Sequence, residues 1–221
     1  MKALKEFIER KDKFKLIEIF KVKGELFDEI TYVIKDIATG KMAIIDPGTS
    51  DKQLFDLIVD CDNLKYILLT HGHIDHIIGL PMLRSKCPDA VLVACKNEKE
   101  MLGNAMFNGT ATDYYKEVVD DADKYVTGND ILHLGESIIE FIETPGHTKG
   151  SMCIKIESDL FSGDTLFYKT VGSTEFYGGN WEDLKSSIKN KLFTLPPEIK
   201  VYPGHGKSTT IGYEKENNPF V

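Results

Sequence analysis

A short run of histidine and aspartate directly after an apolar segment constrains this chain more than any other feature. The run is Thr70-His71-Gly72-His73-Ile74-Asp75-His76, and the apolar residues 66–69 before it predict a short strand. Imidazole and carboxylate groups suit Zn²⁺, Fe or Mn²⁺, whereas Ca²⁺ takes oxygen ligands alone. A solvated loop has no reason to draw its polar residues from these two types, so the run predicts a metal site.

The spacing within the run indicates more than one ion. We expect Gly72 to let the backbone bend so that the imidazoles of His71 and His73 converge. These two rings cannot share a single ion with Asp75 and His76 without severe crowding. Two adjacent ions are therefore expected.

Three later loops each add one candidate ligand. A Pro-Gly turn carries His147, the segment Phe161 to Thr165 carries Asp164, and a second Pro-Gly turn carries His205. Taken singly, each has an ordinary explanation as a turn residue or a helix cap, and it is the dense run that makes them candidates. The predicted ligand groups are His71, His73, Asp75, His76, His147, Asp164 and His205, enough for two ions that share a bridging carboxylate. His133 lies in a strand pattern and is interpreted as an ordinary strand residue.

Composition narrows the class of protein. The chain has 221 residues and a net charge of −8, which argues against a nucleic-acid binder. No apolar stretch is long enough for a membrane helix, and no secretory signal is visible at the start, so we expect a cytoplasmic protein. The four cysteines are far apart and form no Cys-x-x-Cys pair, so we expect reduced, mostly buried thiols.

The pattern of elements predicts an α/β (α+β) domain over residues 14–221 after an extension at residues 1–13. Apolar and β-branched residues predict strands, and period-3.6 patterns predict helices. Two sheets packed face to face under outer helices are expected. The predicted strands are 14–22, 30–34, 42–45, 66–69, 90–94, 138–142, 152–156, 159–162 and 200–202; the helices are 51–61, 80–84 and 181–193; residues 96–130 are helical and loop-like.

The ligand pattern resembles that of the metallo-β-lactamase superfamily. The His-x-His-x-Asp-His run, followed by single His, Asp and His, is its signature, and Asp46-Pro47-Gly48 matches an aspartate that closes an early strand. The resemblance spans residues 14–219 and implies a four-layer αβ/βα sandwich of two mixed sheets flanked by helices. It implies that His71, His73 and His147 hold one ion, that Asp75, His76 and His205 hold the other, that Asp164 bridges them, and that Asp46 orients the ligands.

Within the superfamily the chain is similar to short bacterial hydroxyacylglutathione hydrolase-like (glyoxalase II-like) proteins. Residues 144–151, 172–176 and 202–212 carry this narrower likeness. Ser173 and Glu175 depart from the Gly-Arg-Thr-Asp-Phe of those relatives, and the missing arginine removes an anchor for a substrate carboxylate. The helical domain that grips glutathione in full-length glyoxalase II is also absent from the sequence.

The resemblance implies a dinuclear hydrolase in which a metal-bridging hydroxide attacks a thioester or ester-like carbonyl, with Asp75 as a proton shuttle. No Gly-x-Ser-x-Gly motif and no Cys–His pair offers a protein nucleophile. Two divalent ions are expected, zinc first, with iron or manganese as alternatives. The expected partner is a small anionic acyl thioester, and the oligomeric state is left open. Candidate substrate residues are Lys149, Tyr168, Lys169, Ser173 and Lys207.

Other functions remain open. A persulfide dioxygenase-like oxidoreductase would use one iron held by two histidines and an aspartate. A lactonase or a phosphodiesterase of the same superfamily is a more remote alternative. A non-enzymatic zinc module is disfavoured, because structural zinc sites are usually closed and rich in cysteine.

Overall fold

The computed structural model describes residues 16–24, 28–112 and 116–221. Within these ranges the first large sheet has six strands in sequence order, and β3 to β6 run parallel. Antiparallel pairing of β1 with β2 and of β2 with β3 makes the sheet mixed. Its strands are β1 (Ile17–Lys23), β2 (Ile30–Asp36), β3 (Met42–Ile45), β4 (Leu64–Leu68), β5 (Val91–Cys95) and β6 (Lys124–Val126).

The second large sheet has the order β14-β13-β10-β9-β8-β7 and is also mixed, since β10 pairs parallel with β13. A short hairpin of β11 and β12 stands beside it. The strands are β7 (Ile131–Leu134), β8 (Ser137–Glu143), β9 (Met152–Ile156), β10 (Asp159–Gly163), β11 (Leu166–Phe167), β12 (Thr170–Val171), β13 (Lys200–Pro203) and β14 (Thr209–Thr210).

Helices cover the outer face of each sheet. Among the described residues, four short helices pack on the first sheet and two on the second, through apolar residues such as Leu54 and Leu184. Across the described ranges, no helix combines the length and the apolar character that crossing a membrane requires. The helices are α1 (Lys52–Leu57), α2 (Ile74–Ile77), α3 (Leu80–Lys86), α4 (Lys99–Leu102), α5 (Trp181–Asn190) and α6 (Ile211–Asn217).

Strands that are apolar on both faces build the layers. On β3, Ala43 and Ile45 point into the core between the sheets, while Met42 and Ile44 point towards the helices. On β10, Phe161 faces the inner core and Leu160 faces α5. Because both faces of these strands are buried, their sequences read as continuous apolar runs. The four-layer αβ/βα sandwich expected from the resemblance is confirmed.

Several element boundaries differ from the predictions. The helix expected at 51–61 ends at Leu57, and a 3₁₀ turn follows at Cys61–Asn63. The helix expected to reach Phe193 ends at Asn190 before another 3₁₀ turn. Within 96–130, Lys124–Val126 is a strand because it pairs with β5, which local sequence cannot reveal. The proposed extension at residues 1–13 lies outside the described residues, and the single domain over 14–221 stays a prediction.

The expectation of four reduced cysteines is wrong for two of them. Cys61 and Cys87 form a disulfide, with their Cα atoms 5.2 Å apart. Cys61 lies in the turn before β4 and Cys87 follows α3, and both segments pack on the same outer face of the first sheet. Their 26-residue separation hides this proximity in the sequence. Cys95 and Cys153 are buried free thiols, as expected.

Candidate metal centre

The loops that carry the predicted ligands open at one edge of the two sheets. His71 follows β4, His147 follows β8, Asp164 follows β10 and His205 follows β13. The strands β8, β10 and β13 run in the same direction, so their carboxyl ends meet at this edge. The sandwich thus brings segments more than a hundred residues apart into contact.

Three histidine rings converge on one point. The Nε2 atom of His147 lies 3.2 Å from Nε2 of His71 and 2.9 Å from Nδ1 of His73. All three ligand atoms lie within 4.8 Å of one another. Two nitrogens held at 2.0–2.1 Å by one tetrahedral ion would be about 3.3 Å apart, so the donor spacing suits a metal ion.

A second group of three donors lies beside the first. The Nε2 atom of His205 is 3.1 Å from Oδ2 of Asp75, and Nε2 of His76 is 3.8 Å from the same oxygen. These three atoms also fall within 4.8 Å of one another. The group therefore offers two imidazoles and one carboxylate to an ion.

The carboxylate of Asp164 lies between the two groups. Its Oδ2 atom is 3.6 Å from Nε2 of both His147 and His205, and its Oδ1 atom is 3.3 Å from Nε2 of His76. Oδ1 of Asp164 and Nε2 of His76 are buried without a hydrogen-bond partner. Buried polar atoms are rarely left unpaired, so these two atoms fit a site in which they bind a cation.

Asp46 fixes which nitrogen of two rings is free to bind. Its Oδ2 atom accepts from Nδ1 of His76 at 2.9 Å and from the Thr70 hydroxyl at 2.6 Å. Since that hydroxyl donates to Asp46, it accepts from Nδ1 of His71, 3.1 Å away. With an ion bound, both rings would keep their proton on Nδ1 and present Nε2 to the ion. Asp46, His71 and His76 also lie within ligand distance of one another, but the carboxylate faces Nδ1 of His76, which suits an orienting role.

The third ring is oriented by a backbone carbonyl. Nδ1 of His147 donates to the carbonyl oxygen of Ser173 at 2.6 Å, which leaves Nε2 as the free atom. Ser173 was a candidate substrate residue, and in the structure its backbone oxygen contacts His147. Partners of this kind fix the tautomer of a metal-binding histidine.

Burial keeps the first histidine group neutral. Burial and the neighbouring histidines lower the pKa of His71 well below its usual value, and burial with His147 lowers the pKa of His73 to about 3. Burial lowers the pKa of His147 as well. A neutral imidazole is the form that binds a metal ion.

The charges of the second group are complementary. Burial would lower the pKa of His76, but Asp75, Asp164 and Asp46 outweigh it and raise that pKa well above its usual value. Burial would raise the pKa of Asp164, but His76 and the other histidines hold it below its usual value. The carboxylates therefore stay ionised and attract positive charge to this point.

Close approach of the loops requires glycine at Gly204 and Gly72. A Cβ atom at Gly204 would lie 2.5 Å from Oδ1 of Asp164. A Cβ atom at Gly72 would lie 2.9 Å from a side-chain carbon of Met101 in α4. Gly72 is not among the glycines with positive φ, so what its missing side chain provides here is space for α4.

A cleft of about 390 Å³ opens onto both donor groups. Two of its walls are formed by the loop 106–109 and by the segment 176–177. The rings of Phe107 and Tyr177 stack with their centroids 3.7 Å apart and so join the two walls. The lining residues are His73, Ile74, Asp75, Met106, Phe107, Asn108, Gly109, His147, Asp164, Phe176 and Tyr177.

None of the five candidate substrate residues is among the described residues that line this cleft. Lys149 lies at its rim, with Nζ 5.2 Å from the centre of the Tyr177 ring. Tyr168 stacks on Tyr213, and the Nζ atoms of Lys169 and Lys207 lie 5.6 Å and 3.7 Å from the centre of the Tyr168 ring. His133 is exposed on β7 and belongs to neither donor group.

Two buried residues near the site escaped the sequence analysis. Thr70 connects Asp46 to His71, and its position directly before the His-Asp run was the available signal. Glu98 accepts from the Gly72 amide and from the Thr148 hydroxyl, each at 2.9 Å. Nothing in its local sequence, Lys96-Asn97-Glu98-Lys99, distinguishes it from a surface glutamate.

The family model described as the metallo-beta-lactamase superfamily matches residues 30–205. The chain belongs to this superfamily. With its clusters of histidine and aspartate, it is a metal-dependent hydrolase of the superfamily, as the resemblance predicted.

Two curated relatives span nearly the same length. A Streptococcus pyogenes serotype M6 protein named "Probable metallo-hydrolase" is 33% identical over 213 residues, which cover 93% of this chain and 90% of the relative. A Haemophilus influenzae protein named hydroxyacylglutathione hydrolase GloC is 36% identical over 188 residues, which cover 81% of this chain and 86% of the relative. The narrower likeness to glyoxalase II-like metallo-hydrolases is thereby supported.

Solved structures share the fold. The BLEG-1 B3 metallo-beta-lactamase has a TM-score of 0.83 at 30% identity, covering 92% of this chain and 99% of its own. ETHE1 from Myxococcus xanthus has a TM-score of 0.75 at 30% identity, covering 91% and 83%. TTHA1623, solved in a di-iron-bound form, has a TM-score of 0.77 at 28% identity, covering 91% and 100%.

Proposed function

We propose that this protein binds two divalent ions and hydrolyses an acyl thioester or a related ester-like carbonyl. The observation that carries the proposal is the partly buried Asp164 carboxylate between two groups of three donors. His71, His73 and His147 would hold one ion, and Asp75, His76 and His205 the other, with Asp164 shared. Zinc is the first expectation for both, and iron or manganese are the alternatives.

When bound, the ions would supply an activated water and polarise the substrate carbonyl. The chain's own residues position the reactants around this point. No serine, cysteine or lysine is among the described residues that line the cleft, so the protein offers no such nucleophile there. Water is therefore the proposed nucleophile.

We assign the proton transfer to Asp75. Its carboxylate lines the cleft, and the 3.1 Å contact from Oδ2 to His205 holds it in place. It would take up the proton released by the attacking water and deliver it to the departing sulfur. A thiolate is a good leaving group, since a thiol has a pKa near 8.5, so this delivery need not be complete in the transition state.

Metal content and hydrolysis, measured on one preparation, test the proposal. We expect two ions per chain. We also expect hydrolysis of thioesters in a panel that contains several thioesters, among them S-lactoylglutathione, together with a lactone and a phosphodiester. Asp164→Ala should hold fewer than two ions and lose activity by roughly 100-fold or more, because even partners of metal ligands cost 10–100-fold. His133→Ala, an exposed histidine outside both groups, should keep both properties. Full metal content and activity in Asp164→Ala would refute the shared site.

One observation favours a second candidate, an oxidoreductase with a single iron. The Nε2 atom of His147 lies 3.2 Å from Nε2 of His71 and 3.6 Å from Oδ2 of Asp164, so two histidines and one aspartate could hold one ion. The similarity to the solved structure of ETHE1 keeps this second candidate open. Oxygen consumption with glutathione persulfide, together with anaerobic metal analysis, separates the two candidates.

The cytoplasmic location expected from the sequence remains a proposal that cell fractionation would test.

The expectation of an anionic substrate depends on Lys149, Tyr168, Lys169 and Lys207, which lie outside the lining of the cleft.

A further inference from the structure

The cleft beside the donor groups has mainly apolar walls. Ile74, Met106, Phe107, Phe176 and Tyr177 form them, around a floor of histidine and aspartate. Met106 and Phe176, which both line the cleft, are 75% and 60% exposed, which is unusual for large apolar side chains. Exposed apolar surface at a concave site is typical of a surface that a ligand covers.

Asn108, the one amide side chain among the described lining residues, is buried and not available to a ligand. Nδ2 of Asn108 donates to the Val118 carbonyl at 2.8 Å, and Oδ1 accepts from the amide and the hydroxyl of Thr110. The Asn108 carbonyl accepts from the Ile74 amide at 2.8 Å. These bonds hold the loop 106–109 in place, so the wall is a preformed apolar surface.

The apolar walls of the cleft offer no side-chain cation to an anionic acyl group, as far as the described residues show. No lysine or arginine is among the described residues that line it. Lys149, at the rim, lies 3.5 Å from a carboxylate oxygen of Glu100 and over the Tyr177 ring, so its charge already has a partner. Lys169 and Lys207 lie against Tyr168, outside the lining. A carboxylate on the part of the substrate that lies against these walls would lose its hydration without gaining an ion pair.

From these observations we propose that the substrate is a thioester with an apolar acyl group, a medium-length aliphatic or an aryl-alkyl chain, that lies against Phe107 and Phe176. The inference rests on the proposed thioester hydrolysis and names its substrate class. The anionic substrate expected from the sequence is replaced by one whose charged part, if any, stays outside the cleft.

A series of thioesters on one neutral thiol tests the inference. Acetyl, butanoyl, hexanoyl and phenylacetyl esters of N-acetylcysteamine should be hydrolysed by the metal-loaded protein with kcat/KM rising along the aliphatic series. About fourfold per fully buried methylene is the upper expectation. S-lactoylglutathione should be a poorer substrate than the hexanoyl ester.

Substitutions in the wall provide the structural check. Met106→Lys adds a cation at an exposed position, so it should lower kcat/KM for the hexanoyl ester and raise it for S-lactoylglutathione. Phe176→Ala should reduce the ratio of the hexanoyl to the acetyl value. The matched control Ile131→Ala removes an exposed apolar side chain from β7 and should leave the ratio unchanged.

Binding provides a measurement that does not depend on turnover. By calorimetry, S-alkyl thioethers of N-acetylcysteamine should bind more tightly as the alkyl chain lengthens, with a negative heat-capacity change. Flat dependence on chain length in both assays, or S-lactoylglutathione as the best substrate, would overturn the apolar substrate class and leave the hydrolase standing. Chain-length-dependent binding without hydrolysis of any thioester would support an apolar ligand and overturn the proposed reaction, and with it the thioester.

Discussion

Thr70 shows how a single hydroxyl can organise a metal site. It donates to Asp46 at 2.6 Å and lies 3.1 Å from Nδ1 of His71, while Asp46 also accepts from the Thr70 amide at 2.7 Å. Asp46 has a φ of +51°, in the left-handed region that residues other than glycine seldom adopt. Asp46 adopts this conformation directly after β3, where its carboxylate contacts Thr70 and His76. The strained backbone of Asp46 thus coincides with its contact to the His76 ring.

Thr70→Val should weaken the site without changing the shape of the side chain. Valine removes the donor to Asp46 and the acceptor for His71, so we expect metal affinity and kcat/KM to fall roughly 10–100-fold. Competition with a chelator and steady-state kinetics measure the two effects. Thr70→Ser keeps the hydroxyl and should stay near the parent values. Equal behaviour of the two variants would mean that the hydroxyl does not orient His71.

At the scale of elements, Glu98 joins two loops that carry predicted metal ligands. It ends the 3₁₀ turn Lys96–Glu98 before α4, and it is only 1% exposed. Its Oε1 atom accepts from the Gly72 amide, and its Oε2 atom accepts from the Thr148 hydroxyl and the Gly150 amide, each at 2.9 Å. The carboxylate thus holds the loop of His71 and His73 against the loop of His147.

The titration of Glu98 should be visible in the pH dependence of stability. Burial raises its pKa from 4.5 to about 7, although three donors oppose the shift. An acid with a raised pKa in the folded state binds more protons there than in the unfolded state, so its contribution is retained below pH 4.5 and lost as the pH rises through 7. Relative to Glu98→Gln, the parent should lose roughly 3 kcal/mol of unfolding free energy between pH 4.5 and 8.

Urea unfolding at equal metal content measures this difference. A gap between parent and Glu98→Gln that stays constant over this range would show that the carboxylate is ionised throughout in the folded protein. Glu98→Ala leaves three donors without their acceptor and should be the least stable of the three proteins at every pH.

Tyr32 connects the two sheets near His205. Its hydroxyl donates to the Pro203 carbonyl at 2.6 Å, and its ring meets the edge of Phe161 at 5.1 Å. Tyr32→Phe should therefore cost about 1–2 kcal/mol, because it removes a buried hydrogen bond and little apolar contact.

For Tyr32→Phe, the midpoint of urea unfolding should fall while the m-value stays unchanged. Tyr213→Phe removes a partly exposed contact between the hydroxyls of Tyr213 and Tyr168, and we expect it to cost less. If both variants are as stable as the parent, the contact between the sheets contributes nothing measurable.

At the scale of the whole molecule, the Cys61–Cys87 disulfide closes a loop that contains β4 and the His-Asp run. A cross-link over a separation of 26 residues should stabilise the fold by about 3 kcal/mol, mainly by restricting the unfolded chain. Reductant should lower the unfolding free energy by this amount. The double variant Cys61→Ser/Cys87→Ser should not respond, whereas Cys95→Ala should respond like the parent. Insensitivity of the parent to reductant would contradict a stabilising disulfide.

Much of the layered fold could be predicted, because a buried strand is visible in the sequence as a run of apolar residues. The apolar runs at β3, β5 and β9 predicted strands that the structure contains. Short elements were harder to predict: β6 exists through pairing with β5, and α6 through packing of Ile211. Neither depends on a local pattern strong enough to stand alone.

The chemistry of the candidate site was predictable from the sequence alone, because the histidine and aspartate side chains in the loops after apolar strands are themselves the potential metal ligands. The tertiary structure decided which ring nitrogen faces inward, through Asp46, Thr70 and Ser173. The tertiary structure also brings the loop 106–109 together with Phe176 and Tyr177 in the lining of one apolar cleft. It brings Cys61 and Cys87 close enough to form a disulfide. Burial of a helix or strand produces a local pattern of apolar residues that can be recognised in the sequence. Contacts between distant segments depend on how the sheets and helices pack together, which no local pattern shows.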